Sequence, residues 1–230
     1  MHFRHSTDIW TEFPELAAGV LHVEGIHRDV PVAAHATEFE AVAKARLAEA
    51  AEGDLPEIQA WRRAFSRMGM KPTQYRSASE ALLRRFRKEG TLPKIHPLID
   101  LCNAASLAFA IPIAVFDLDK VAAHLEVRHA DGDEIYMTFA GDIEHPEPRE
   151  VIFTDAEKRA HARRWTNRQS GYSAVRDETK RVLVVAEALH AGAAADVKRL
   201  TDELGAAIRA VWSVEPRCAI LGRTAPRLDC

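Results

Sequence analysis

The chain has 230 residues, 47% of them hydrophobic and 28% charged, enough to bury a full core in one large domain or two small ones. Its net charge of −3 supplies no global field for a polyanion, so nucleic-acid binding would have to rest on local basic patches. No apolar run approaches the ~20 residues of a membrane span, and the N-terminal MHFRHSTDIWTEF lacks the apolar centre of a secretory signal.

Cys102, Cys218 and Cys230 form no CxxC pair, which points to a reducing cytoplasm and away from a disulfide framework or a zinc site. Among the 11 histidines, the spacing of His124 and His129 does not put them on one helical face. Neither a metal nor another cofactor is expected.

In chain order, residues 19–26 alternate as a strand, with Gly25 and Pro31 punctuating its exit. Residues 36–51 carry Ala, Glu and Lys at near-helical spacing and stop at Gly53. Pro56 suits the first turn of a helix over 56–68, on which Trp61 and Phe65 share a face. After a loop over 69–75, Ser77-Ala78-Ser79-Glu80 has the form of a capping box opening a helix over 79–88, closed by Gly90. A helix over 97–109 ends before Pro112. Residues 126–128, 134–139, 150–154 and 161–165 read as strands separated by Asp-Gly, Gly-Asp and Pro turns. Residues 173–180 suit a short helix and 182–186 a buried strand. Residues 194–212 form an amphipathic helix through Val197, Leu200, Leu204, Ile208 and Val211, and 218–221 a final edge strand. With no internal repeat or linker, the pattern predicts a single compact α+β domain over 1–230, a mixed short-stranded sheet with flanking helices. Residues 1–55 are an N-terminal strand and helix extension, and 194–212 a packing helix.

Motifs of common chemistries are missing: there is no G-x-G-x-x-G, P-loop, G-x-S-x-G elbow or H-E-x-x-H, and no clear Ser–His or Cys–His pair. The stretch HPLIDLCNAASLAFAIPIAVFDLDKV instead sets Asp100, Asn103 and Ser106 into an apolar helix and then delivers Asp117 and Asp119. Leaving such groups buried and unpaired costs roughly 1–3 kcal/mol each, so either the fold or a ligand holds them. Asn103 could bond a neighbouring backbone or a ligand ester or amine; Asp117 and Asp119 could be turn caps or ligand contacts. In KPTQYRSASEALLRR, Ser77 and Ser79 lie at a helix N-terminus suited to an anion or carbonyl oxygen, beside Arg76. The same residues also describe a capped helix. HARRWTNRQSGYS packs Arg163, Arg164, Trp165, Arg168 and Gln169 together; cations interleaved with rings suit a nucleic-acid end, or an exposed strand and turn. Glu187 ends the buried-looking run 183–186, as a cap or as a selector for a cationic or hydroxyl group.

As an ordered set, KPTQYRSASEALLRR, HPLIDLCNAASLAFAIPIAVFDLDKV, LEVRHADGDEIYMTFAGD and RRWTNRQSGYSAVRDETKRVLVVAEAL resemble the B3/B4 domain of the phenylalanyl-tRNA synthetase β subunit. The likeness is closer still to free-standing proteins made of that domain, and covers residues 59–191. In the synthetase this domain hydrolyses tyrosine wrongly attached to the phenylalanine tRNA. The resemblance implies a cytoplasmic, trans-editing aminoacyl-tRNA deacylase whose partner is mischarged tRNA, with no DNA, membrane or cofactor. It places the family's editing-pocket asparagine on Asn103, its F-D-L-D turn on residues 116–119 and its substrate-reading glutamate on Glu187. Asn103, Glu187 and Asp117 are then expected to be catalytic. Arg76, Ser77, Ser79, Asp100, Ser106, Asp119 and Gln169 would contact substrate, and Arg163, Arg164, Trp165 and Arg168 the tRNA. Two departures matter. The family's histidine before the F-D motif is Ala114 in this chain, and its small A-G pair is Arg168-Gln169. They imply a retained pocket whose choice shifts from tyrosine to a polar or basic non-cognate amino acid, for example canavanine on the arginine tRNA. The competing readings are a non-catalytic tRNA- or aminoacyl-binding module and a small-molecule binder on the same fold.

Overall fold

A computed structural model describes all residues, Met1–Cys230. The N-terminal half contains β1 (His2–His5), α1 (Thr7–Glu12), β2 (Ala17–Glu24), α2 (Ala33–Glu49), α3 (Pro56–Arg67), α4 (Ala78–Glu89) and α5 (Pro97–Phe109). Short strands follow: β3 (Ile113–Asp117), β4 (His124–His129), β5 (Tyr136–Met137), β6 (Ile143–Glu144), β7 (Val151–Thr154), β8 (Ala160–Arg163) and β9 (Arg168–Gln169). The chain closes with β10 (Arg181–Ala188), α6 (Ala193–Trp212), β11 (Arg217–Leu221) and β12 (Arg227–Asp229).

The strands build a four-stranded antiparallel sheet, β11-β2-β10-β3, a six-stranded sheet, β12-β1-β4-β7-β8-β9, and a β5–β6 ribbon. In the larger sheet only β1 and β4 run parallel. Strand β10 sets the layering. Successive strand residues point to opposite faces, and β10 is apolar on both. Val182, Val184, Ala186 and Ala188 pack with α2, α5 and α6, whereas Leu183 and Val185 face the space between the sheets, with Phe3, Phe116, Phe153 and Trp165. Glu187 falls on the odd set, so register alone carries a carboxylate into the inter-sheet layer. Gly19 on β2 lets α6 lie directly on the sheet, since a Cβ there would meet Thr201 Oγ1 at 2.1 Å.

Local signals explain the helices. Ser77 Oγ accepts the Glu80 N–H at 3.3 Å, and Gly90 ends α4 with φ 75°. Pro56 and Pro97 occupy first-turn positions of α3 and α5. The result is a compact α+β domain, and no helix is long and apolar enough to cross a membrane.

Two of these expectations change here, and three elements are added. Residues 173–180 form turns rather than a helix, because their polar groups bond to the end of β3. Asp117 N–H donates to the Ser173 carbonyl, and the Thr179 hydroxyl donates to Asp117 Oδ2 at 2.8 Å. The strand expected over 161–165 ends at Arg163, since Arg164 and Trp165 adopt left-handed backbone conformations. Strands β1 and β12 carry no clear local pattern and form through distant pairing, and α1, capped by Ser6, is a further element outside the expected set.

Candidate functional site

Arg164 and Trp165 have φ of 47° and 56°. That region disfavours bulky side chains, at roughly 1–3 kcal/mol per residue, so the surroundings must impose it. Arg164 N–H donates to Glu150 Oε1 (2.8 Å), Trp165 N–H to the Val151 carbonyl (2.7 Å), and Asn167 Nδ2 to the Arg76 carbonyl (2.8 Å). The Thr166 carbonyl accepts the Ala78 N–H at 2.8 Å, fastening the turn to the start of α4. Phe13 and Trp61 meet the Trp165 ring edge-on at 4.8 and 5.0 Å.

This turn forms one wall of a cleft of about 50 Å³. Ala114, Val185 and Glu187 form the opposite wall, and Phe153 and Ala162 contribute apolar surface. Ala114 pairs with Val185 across β3 and β10, so a larger side chain at either would narrow the cleft. Glu187 is 2% exposed. Its Oε1 accepts the Trp165 indole N–H at 3.0 Å and lies 2.6 Å from His5 Nε2, while Oε2 has no protein partner. Thr166 also lines the cleft, and its hydroxyl is buried and unpartnered. Gln169 lines it with its amide donating to the Val115 carbonyl, and Arg168 stands at its edge, bonded to Glu144 at 3.0 Å. The hydrogen bond from Arg168 holds the Glu144 carboxyl below its ordinary range. The cleft thus sets one free carboxylate oxygen in a lining that is half apolar and otherwise formed by Thr166, Asn167, Arg168 and Gln169, the pattern of a site that selects a polar group. No Ser, Cys or His lines it.

On its other side the turn borders a groove of about 450 Å³, lined by Lys71, Tyr75, Arg149 and Arg164 among others. The Arg164 guanidinium lies 4.7 Å from the centre of the Tyr75 ring.

Of the residues read from sequence, the structure brings Glu187, Gln169, Arg168 and Trp165 together in the cleft and puts Arg164 in the groove. It gives the rest other surroundings. Trp165 is 1% exposed, so it cannot offer a stacking face to an RNA base; it is a wall and an N–H donor. Arg163 is 4% exposed and grips Glu150 through Nε and Nη2, both at 2.9 Å, and Glu144 through Nη1 at 2.7 Å. It has no donor face left for phosphate. Ser77 and Ser79 are buried, their hydroxyls 3.1 Å apart. Arg76 approaches Glu80 at 3.5 Å. Asp100 Oδ1 accepts the Ile95 N–H, Ser106 donates to the Ile111 carbonyl, Asp117 caps the turn after β3, and Asp119 pairs with Arg181. Asn103 is half-buried on α5, makes no side-chain hydrogen bond and does not line the cleft.

Sequence reasoning missed His5, Thr166 and a buried Ser–His–Asp relay. Ser173 Oγ lies 2.8 Å from His161 Nδ1, and His161 Nε2 lies 3.2 Å from Asp155 Oδ2. The expectation of no Ser–His pair is therefore corrected, although Ser173 and His161 are fully buried, which denies a nucleophile its substrate. The relay anchors loops instead. Burial would push the Asp155 carboxyl up, but the His161 imidazole beside it and hydrogen bonds from the Arg159 and Ala122 N–H groups outweigh it, drawing the pKa to about 2. A folded-state value below the unfolded one stabilises the fold above pH ~4, and this contribution is lost as pH falls towards 2. Asp155→Asn is expected to lose on the order of 2 kcal/mol near neutrality. In urea titrations across pH 7 to 2, its difference from wild type should close only below pH ~4. Burial also pushes the Cys102 thiol up to about 12, which removes it as a thiolate nucleophile. Glu57, His190 and Asp196 come close enough to hold an ion, but the two carboxylates already bind Arg46 and Arg199.

A family model described as the B3/4 domain matches residues 60–207. No curated protein matches the sequence. Among solved structures, an N-terminal fragment of the phenylalanyl-tRNA synthetase β-subunit from Pyrococcus horikoshii is similar, with a TM-score of 0.50 and 10% identity. The match covers 94% of this chain and 50% of that one, so the chain spans about half the length of the fragment, and the likeness is one of fold. The family match extends over more than half of the sequence and includes both walls of the cleft; the chain belongs to the B3/4 domain family.

Proposed function

We propose that the protein is a trans-acting aminoacyl-tRNA deacylase that releases a polar or basic non-cognate amino acid, such as canavanine from the arginine tRNA. The observation that carries this reading is Glu187, a buried carboxylate with one oxygen clamped and the other left to the cleft. An anionic acceptor in apolar walls discriminates strongly between side chains that can donate to it and those that cannot. A synthetase fragment with the same fold supports tRNA as the partner. The groove holding Arg164 over Tyr75 supports a path for the tRNA end, with phosphates on cations and bases on rings.

Because no Ser, Cys or His lines the cleft and no base partners the Thr166 hydroxyl, hydrolysis uses a positioned water. Water adds to the ester carbonyl, the acyl–oxygen bond breaks, and the ribose oxygen leaves with a proton, assisted by the terminal ribose hydroxyl. Glu187 Oε2 accepts from the amino-acid side chain or its ammonium group, and the Thr166 hydroxyl offers a second contact. Asn103, free to donate and accept, contacts the part of the substrate outside the cleft. Holding the ester and water together is a large part of such a rate.

The test is deacylation of arginine tRNA carrying canavanine and phenylalanine tRNA carrying tyrosine. Release of canavanine with tyrosine spared is the expected result. The absence of Ser, Cys and His from the cleft equally fits a non-catalytic binding module, which predicts tRNA retention without turnover and weaker retention in Asn103→Ala. Silence on both substrates, and on a wider panel of mischarged tRNAs, sinks the deacylase reading.

A further inference from the structure

His5 lies outside the family match, on β1 of the six-stranded sheet, 182 residues before Glu187 on the other sheet. Its side chain is fully buried and its Nε2 is 2.6 Å from Glu187 Oε1. Phe3 meets the ring edge-on at 5.2 Å and Trp10 lies at 4.8 Å, so the imidazole is packed in place. Trp165 approaches the same carboxylate oxygen from the strained turn at 3.0 Å. An indole N–H can only donate, so Oε1 is an acceptor at this point. A proton on His5 Nε2 makes the imidazole a second donor and leaves Nδ1, which is buried and unpartnered, as a bare lone pair. The opposite tautomer would bury an N–H without an acceptor and set two lone pairs against each other.

We infer that His5 is a positioning residue for Glu187: with Trp165 it clamps Oε1 and so presents Oε2 to the cleft. This rests on the deacylase reading for its consequence, though not for its geometry. A glutamate has three side-chain torsions, and an unclamped carboxylate would turn among rotamers. Two donors fixed in different layers remove that freedom, and losing about 1 Å of placement costs up to about 100-fold in rate. The N-terminal strand therefore completes a site whose other residues all lie within the family match.

The experiment compares full-length wild type, His5→Phe and His5→Gln, with canavanyl-tRNA(Arg) and tyrosyl-tRNA(Phe) as probes in single-turnover hydrolysis. It adds proton–nitrogen NMR of the imidazole groups in wild type and Glu187→Ala. His5→Phe is expected to lower the hydrolysis rate about 100-fold with little change in tRNA affinity. His5→Gln, whose amide can place a donor where Nε2 was, should recover most of the loss. The NMR should show a downfield proton on His5 Nε2 that disappears in Glu187→Ala. Equal rates in wild type and His5→Phe, or equal loss in both variants, would overturn the inference. If no mischarged tRNA is hydrolysed by wild type, the deacylase reading fails by itself. The clamp is then judged by the NMR alone: a proton on Nδ1, or no change in Glu187→Ala, overturns it.

Discussion

Replacing Glu187 with glutamine is expected to lower deacylation about 100-fold while leaving the melting temperature near that of wild type. The amide oxygen can still accept from Trp165 and His5, so the clamp around Oε1 survives. The group facing the cleft becomes a donor, which repels an ammonium or guanidinium it should hold. Glu187→Ala adds a second effect by leaving the Trp165 and His5 N–H groups buried without an acceptor, a penalty of about 1–3 kcal/mol each. The two variants separate chemistry from folding: both lose rate, and only alanine loses stability. Thermal melts and single-turnover kinetics on the same preparations check this. A glutamine variant with wild-type rate would mean that the carboxylate is structural and that the substrate is read elsewhere.

What could be read in the sequence follows from the range of the interactions involved. Capping at Ser77, the stop at Gly90 and the first-turn prolines are local, so these helices were placed to within a residue or two. Glu187 is legible as a candidate, from the family resemblance and from its place at the end of an apolar strand, where a cap is the alternative. Its partners are not. His5 comes from a strand that pairs only with distant strands, and the odd face of β10 points into a layer that does not exist until both sheets form. The stretch 161–173, expected as a nucleic-acid end or an exposed strand and turn, departs from that expectation for a related reason. Its alternation of cations and a ring has the composition of a nucleic-acid surface, yet Arg163 and Trp165 are buried and only Arg164 keeps an outward ring contact. Glu144 and Glu150, which neutralise Arg163, lie 19 and 13 residues away. Asn103, one of the polar positions set into the apolar helix over 97–109, stands outside the cleft because α5 turns its apolar face to α2 and α6.

Arg163→Met should destabilise the fold by about 3–5 kcal/mol, the cost of breaking a buried ion pair by removing one partner. For a chain of this size that is a drop of about 6–20 °C in melting temperature. Glu150 then retains the Arg164 N–H at Oε1 and a weak Glu147 N–H at 3.3 Å on Oε2, but no cation of its own. Removing the leftover charge as well, in Arg163→Met with Glu150→Gln, should recover part of the loss, and the coupling is measured as a double-mutant cycle. A tRNA contact predicts the reverse pattern: stability unchanged, affinity reduced, and a shallower dependence of binding on salt. Arg164→Ala is expected to show that pattern, with stability within about 0.5 kcal/mol and a salt slope smaller by about 1, because its guanidinium lies over Tyr75 in the open groove. Two arginines adjacent in sequence are thus assigned opposite work by which side of the sheet edge each one takes. Melting curves and salt-dependent tRNA binding on the two variants decide it. A fully stable Arg163→Met that binds tRNA weakly would return Arg163 to the RNA surface and move the tRNA path to the Glu144 side of the turn.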